Sequence, residues 1–303
     1  MRYSTLIKGF SVTALSAALI ACGGSGDSSN SSATTGSLSL GLTDAPVDNL
    51  NKVVITVTGV TLKHQDGEQV SFEFDDPKVI DLLELQDGNA ATLLGDEEVE
   101  AGEYNWVRLE LSQESGALYA EEETGGQVTL FVPSGFQSGL KLVSGFTVPA
   151  GGDADFTIDF DVRKSIVNPQ GNNAKGDYYL KPALRLIDNT EAGTLTGTVD
   201  ASTIIQTECE DAQTYSGLVY VHAGSDATPD DLGSDNEPIV TAPVKYNEAD
   251  GTYSYTASFV TAGDYTVSYS CDVDDVETDE DLSFVGTQNA TVNADETTEV
   301  NFQ

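Results

Sequence analysis

Residues 155–163, DFTIDFDVR, alternate along their whole length. Phe156, Ile158, Phe160 and Val162 share one parity, while Asp155, Thr157, Asp159, Asp161 and Arg163 share the other. Successive side chains of a β-strand point to opposite faces, so this period of two predicts a strand buried on one side only. QVSFEF at 69–74 repeats the pattern, setting Val70, Phe72 and Phe74 against Gln69, Ser71 and Glu73. In VVITVTGVTL at 53–62 the parity switches: Val53, Ile55 and Val57 lie on one face, Val60 and Leu62 on the other. Gly59 sits at the switch and marks an expected β-bulge.

Further strands are read at 37–43, 103–111, 127–132, 141–148 and 179–187. One helical turn or short helix is expected at 77–86, where Val79, Leu82 and Leu83 are spaced i, i+3, i+4 and Pro77 suits a first turn. DNTEAG at 188–193 reads as a boundary, after which a second series begins with TLTGTVD at 194–200. There Tyr253, Tyr255, Ala257 and Phe259 share one face of a strand, and Tyr265, Val267, Tyr269 and Cys271 share a face of the next. Many short strands punctuated by Gly, Asn and Asp predict an all-β chain of two β-sandwiches. The expected bounds are 37–190 and 191–303.

The first 36 residues have a different texture. Arg2 and Lys8 form a basic start, and FSVTALSAALIA at 10–21 is apolar but too short to span a bilayer as a mature helix. Leu19-Ile20-Ala21-Cys22 follows and resembles the bacterial lipobox, whose cysteine is diacylated before cleavage. The expectation is a signal peptide at 1–21 and a lipidated Cys22 opening a tether over 22–36. One acyl chain anchors only marginally, at about 0.8 kcal/mol per buried methylene, so two or three are needed. By resemblance to Gram-negative sorting rules, Gly23 in place of Asp favours the outer membrane. GGSGDSSNSSATTG at 23–36 cannot repay its ordering entropy and reads as flexible coil reaching roughly 20 Å.

The chain's formal charge is −37. Such a surface repels nucleic acid and anionic lipid and removes the usual electrostatic routes to both. With Cys22 taken by lipid, Cys209 and Cys271 remain as an even pair, and in an oxidising compartment a disulfide is the expected reading. Neither has a CxxC partner, and His64 and His222 are the only histidines, which argues against a zinc enzyme or a His-dependent hydrolase. No P-loop, GxGxxG, GxSxG or HExxH is present.

Three blocks occur in order: GSLSLGLTDAPVDNLNKVVITVTGVTLK at 36–63, VIDLLELQDG at 79–88 running on to AGEYNWVRLEL at 101–111, and FTIDFDVRKSIV at 156–167 followed by GDYYLKPALRLID at 176–188. This order resembles the bacterial lipoprotein family catalogued as domain of unknown function 4382, over about residues 36–188. The resemblance implies an extracytoplasmic, lipid-anchored β-rich domain and supplies no catalytic residues. The second half, with Gly193, Leu195, Gly197 and Val199 as G-x-L-x-G-x-V, loosely resembles prealbumin-like or carboxypeptidase-regulatory-like modules.

Five places carry candidate chemistry. Leu42-Thr43-Asp44-Ala45-Pro46 reads as a turn in which Asp44 bonds the backbone two residues on, with a ligand or acid role as the alternative. Asp159 and Asp161, beside Arg163, are the carboxylates a hydrolase would use, provided that they and Asp44 faced each other across a cleft. DVDDVETDED at 272–281 offers Asp272, Asp274 and Asp279 as hard ligands for Ca2+, but Val276 replaces the EF-hand glycine and Ser283 its twelfth-position glutamate. SDATPDDLGSDNE at 225–237 is a similar acidic loop, and solvated loops are the alternative for both. Tyr104 and Trp106 share a parity with Arg108, opposite Val107, Leu109 and Leu111, and are candidates for stacking on a sugar or a partner. The overall expectation is a non-catalytic, lipid-anchored envelope protein. It would need no cofactor, with Ca2+ the one candidate ion, and would engage a polysaccharide or protein partner; the rival is an extracytoplasmic hydrolase using acidic residues of the N-terminal domain.

Overall fold

The computed structural model describes residues 34–45, 50–122, 125–133, 139–168, 176–207, 209, 215–276 and 278–303. The signal segment, Cys22, the tether up to residue 33 and Pro46 lie outside the described residues, and the end expected for the tether, Thr35 and Gly36, is already part of a strand. The N-terminal part holds β1 (Thr35–Ala45), β2 (Leu50–His64), β3 (Gln69–Asp81), β4 (Ala91–Glu100), β5 (Gly102–Leu111), β6 (Tyr119–Glu122), β7 (Gln127–Phe131), β8 (Leu140–Leu142), β9 (Phe146–Val148), β10 (Asp153–Asp161), β11 (Ile166–Val167), β12 (Tyr178–Leu180) and β13 (Leu184–Asp188). One sheet runs β13-β10-β1-β4, with β1 and β10 parallel. The other runs β11-β12-β7-β6-β2-β5-β8, with β3 added on β2 and β9 on β5. Leu38, Leu40, Leu42, Phe156, Ile158 and Phe160 of the first sheet close on Ile55, Val57, Val60, Leu62, Val107 and Leu109 of the second. Two sheets, each apolar on its inner face, thus share one core, which defines a β-sandwich.

The C-terminal part repeats the plan with β14 (Ala192–Val199), β15 (Leu218–Ala223), β16 (Val240–Pro243), β17 (Lys245–Asn247), β18 (Thr252–Thr261), β19 (Gly263–Ser270), β20 (Val285–Val292) and β21 (Thr297–Glu299). Its sheets run β17-β18-β14-β21 and β16-β15-β19-β20. Leu195, Val199, Tyr255 and Ala257 of the first meet Val219, Val221, Val267, Tyr269 and Val292 of the second. Residues 32–303 form one compact unit.

The expected bulge is present: the β2–β3 register slips between Val57 and Gly59. A Cβ on Gly59 would run into the Phe72 carbonyl oxygen, so the close approach of the two strands requires glycine. Other expectations are corrected. The helical segment expected within 77–86 forms only as a turn in its second half, because β3 stays paired with β2 as far as Asp81 and leaves Val79 70% exposed. Only a four-residue 3-10 turn follows, Leu82–Leu85, begun by the Asp81 carboxylate accepting the Leu83 N–H. Arg163 was expected outward on a strand. Instead Asp161 accepts the Lys164 N–H and starts α1 (Val162–Ser165), which turns Arg163 into a buried position.

The stretch 179–187 is two strands, since Pro182 has no N–H for a ladder. The stretch 141–148 is likewise two, β8 and β9, parted at an exposed Val143. Strand β4 escapes a period-two reading because neighbours Leu93 and Leu94 are both buried and its register on β1 slips twice.

Candidate functional site

The aromatic pair on β5 separates. Against β2, Lys63 faces Trp106 but His64 faces Tyr104, so Asn105 is an extra residue and forms a bulge. This flips Tyr104 into the core, where it is 1% exposed, stacks on Phe146 at 4.9 Å and donates its hydroxyl to the Glu100 carbonyl. Tyr104 is therefore a core residue and not a partner-binding one, a correction to its assigned face. Trp106 stays on the opposite face but is covered by cations: Arg108 and Lys141 each stand 4.7 Å from its ring. Those contacts occupy the ring that a ligand would stack on.

A second place lies where the N- and C-terminal parts meet. The parallel register sets Thr43 beside Asp159 and Asp44 beside Phe160, which brings Asp44, Asp159 and Asp161 to one cavity. Each carboxylate has a structural task. Asp159 pairs with Arg185 at 2.7 Å, and Arg185 also donates to the Ile239 carbonyl across the junction. Asp161 caps α1 and stands 3.8 Å from Lys164; burial pushes its pKa up, against the Lys164 N–H bond and charge. Buried Asp44 accepts from the Val162 N–H, 118 residues along the chain, rather than from two residues on as expected. Position 46 is a proline and has no N–H to give. Thr43 donates to the Leu85 and Asn89 carbonyls, both at 2.8 Å. The cavity is about 60 Å³, enough for a few waters, and Asp159, Asp161, Lys164 and Arg185 also line an open groove of about 410 Å³ beside it. Further ion pairs tie the junction, Lys164 to Glu237 at 2.7 Å and Lys245 to Asp87.

The third place joins the two acidic loops that the sequence offers separately. Asp231, Asp274 and Glu280 bring carboxylate oxygens within 4.8 Å of one another, and so do Asp230, Asp231 and Asp279. Asp272 lies outside both groups and accepts the Ser283 N–H instead. Asp231, with no exposed surface, was not singled out in the sequence, nor was Glu280. The loops meet because a Cβ on Gly233 would collide with the Thr278 carbonyl oxygen, so only glycine permits that approach.

Buried Tyr220 donates its hydroxyl to Asp274 at 2.9 Å. Burial raises the Asp274 pKa, and the Tyr220 bond, the Arg163 charge and the Leu232 N–H oppose it. Burial and the Asp274 charge also drive the Tyr220 phenol far up, so it remains a donor. His222 fixes the loop through the Asp230 backbone at 3.1 Å, and burial lowers its pKa.

Cys209 and Cys271 form the disulfide, with Cα atoms 5.7 Å apart. It bonds α2's flank to the end of β19, α2 being Ala201–Gln206. Among the described residues no helix is long and apolar enough to cross a membrane.

Residues 35–182 match the family model described as Domain of unknown function (DUF4382). No curated protein matches the chain. Among solved structures it is similar to a leucine-rich repeat protein from Bacteroides thetaiotaomicron, at 14% identity and TM-score 0.20 over 88% of this chain and 26% of that one. It is also similar to the Bacillus anthracis TIE protein, at 11% and 0.20 over 89% and 34%. GBS52, the minor pilin of Streptococcus agalactiae, is a third, at 11% and 0.21 over 87% and 94%. The chain thus spans about a quarter to a third of the first two. Likenesses this slight carry no argument about function.

Proposed function

We propose that this chain is a lipid-anchored protein of the bacterial cell envelope with a binding or structural role and no catalysis. Acyl chains on Cys22 hold it to the outer membrane of a Gram-negative cell, the Gly/Ser tether gives reach, and two domains, 37–190 and 191–303, present loops and sheet faces to an envelope polysaccharide or protein. The observation that carries the non-catalytic reading is the junction cavity. Its carboxylates are engaged by Arg185, Lys164 and the Val162 N–H. A glycosidase instead needs two carboxyls about 5–10 Å apart flanking a sugar. The anchoring rests on the basic start, apolar run and LIAC sequence ahead of GGSG. The two-domain reading is supported by buried clusters that share no residue.

Cys22→Ser should move the protein out of the membrane fraction of cells that express it; unchanged fractionation would refute the anchor. With the purified chain, saturable binding in a glycan screen, or a discrete cross-linked protein in intact envelope, is the expected result. Turnover of a polysaccharide by that chain would overturn the non-catalytic role.

A further inference from the structure

The geometry points to a divalent-cation site of the calcium class where the loops 225–237 and 272–281 meet, with Asp231, Asp274 and Glu280 as ligands and Asp230 and Asp279 at the rim. This goes beyond the envelope role and does not depend on it. Ligand oxygens about 2.4 Å from one ion can be no more than about 4.8 Å apart, and both carboxylate groups meet that limit.

Clustering alone would be an acidic surface. What singles out this cluster is Asp231. It is fully buried, its Oδ2 accepts the Gly233 and Glu280 N–H groups, and its Oδ1 is buried with no hydrogen-bond partner. A buried carboxylate oxygen left unpaired is costly, and native structures almost always satisfy such an atom. The protein supplies N–H and O–H donors to the other ligands: Tyr220 and Leu232 to Asp274, and Thr278 and Asp275 to Glu280. Among the described residues the ion pairs of Lys164 and Arg185 go to Asp161, Glu237 and Asp159 rather than to this cluster; the cation whose field acts on Asp274 is Arg163.

The donor set is all oxygen, with no thiol and no imidazole nitrogen, since His222 meets the Asp230 backbone rather than the carboxylates. Hard oxygen donors on two loops favour Ca2+, which accepts irregular six- to eight-fold coordination, over Mg2+, which demands a near-ideal octahedron. The ion would staple two loops whose contributing residues lie as much as 49 positions apart. A proton shared between Asp231 and Asp274 is the competing way to relieve the cluster, and it predicts no calcium response.

The test is calorimetric titration and thermal melting of the purified full-length chain in CaCl2, MgCl2, and NaCl at matched ionic strength. Extracellular calcium modules bind at about 10⁻⁴–10⁻³ M, so 10 mM CaCl2 should raise the folded-to-unfolded ratio roughly 10- to 100-fold. MgCl2 should do less. Asp231→Asn should reduce the calcium response to that of NaCl, whereas Glu98→Gln, on an exposed strand position elsewhere, should keep it in full. If Asp231→Asn does not fold, Glu280→Gln reports in its place. A wild-type response no larger than in NaCl, or a full calcium response in the Asp231 or Glu280 variant, would overturn the site.

Discussion

The two sandwiches fill their cores with different stock. The N-terminal cluster is led by leucines, among them Leu38, Leu42, Leu62, Leu82, Leu109 and Leu140. In the C-terminal cluster Leu195 is the one leucine among the described residues, and Tyr255, Tyr265 and Tyr269 take up the volume. A buried leucine needs nothing but contact, but a buried phenol must also find an acceptor. Tyr255 donates to the Val300 carbonyl and Tyr269 to that of Ser216, both at 2.8 Å, and Tyr265 donates to Thr261. Burial pushes the Tyr269 phenol up to about 12, which keeps its proton in place. The smaller part is also the one with the disulfide, as expected where a core alone supplies little stability. Both cores bury aliphatic area, and the C-terminal one, built on valines, adds hydrogen-bonded rings and a covalent tie.

The single tryptophan, Trp106, lies in the N-terminal part, so its fluorescence reports on that part while tyrosine near-UV dichroism weights the other. Reduction of Cys209–Cys271, which closes a separation of 62 residues, should cost about 4 kcal/mol on the chain-entropy model. In urea it should shift the tyrosine transition and leave that of Trp106 in place. An equal shift of both would show that the two cores unfold as one and would break the comparison.

Leu62→Ala removes a fully buried side chain from the aliphatic core and should cost about 3 kcal/mol, read in the Trp106 transition. Tyr255→Phe keeps the ring and loses one bond, so about 1 kcal/mol is expected, in the tyrosine transition. If that variant is as costly as Leu62→Ala, the hydroxyl matters far more than its single bond suggests.

The smallest effect should be that of pH on His222. Its folded pKa is lowered by burial from 6.5, so the unfolded chain takes up a proton first as pH falls below that value. Stability should drop on acidification from pH 6.5 toward 5. His222→Gln should remove that part of the drop, and an identical pH profile would refute the assignment.

The acidic clusters differ in the same way as the cores. At the junction, Asp159, Asp161, Glu237 and Asp87 meet Arg185, Lys164 and Lys245. In the loop cluster, Asp231, Asp274 and Glu280 meet backbone N–H groups and hydroxyls instead. A chain with 13 basic and 50 acidic residues cannot give every carboxylate a cation of its own. That shortage is legible in composition; which carboxylates go without is not.

Alternation in QVSFEF and DFTIDFDVR predicts strands that form, and the parity switch around Gly59 predicts a bulge that forms. The same logic fails at Tyr104, where Asn105 adds a residue with no mark in its own sequence, and at 77–81, where pairing with β2 outweighs a helical spacing. Half of the candidate cation site was visible as the acidic run 272–281. Asp231 was hidden within another loop and Glu280 was not distinguished from its acidic neighbours.

Side-chain period and glycine placement are local properties, so the amino-acid order alone predicts the all-β class and the first bulge, while the pairing of Cys209 with Cys271 is read from the folded chain. Convergence is not local. Asp44 reaches Val162, and Asp231 reaches Glu280, because sheet register and loop approach bring distant segments together. Only the folded chain decides which carboxylates are neutralised and which stand buried with an oxygen to spare, since burial and partners are set by neighbours remote in sequence.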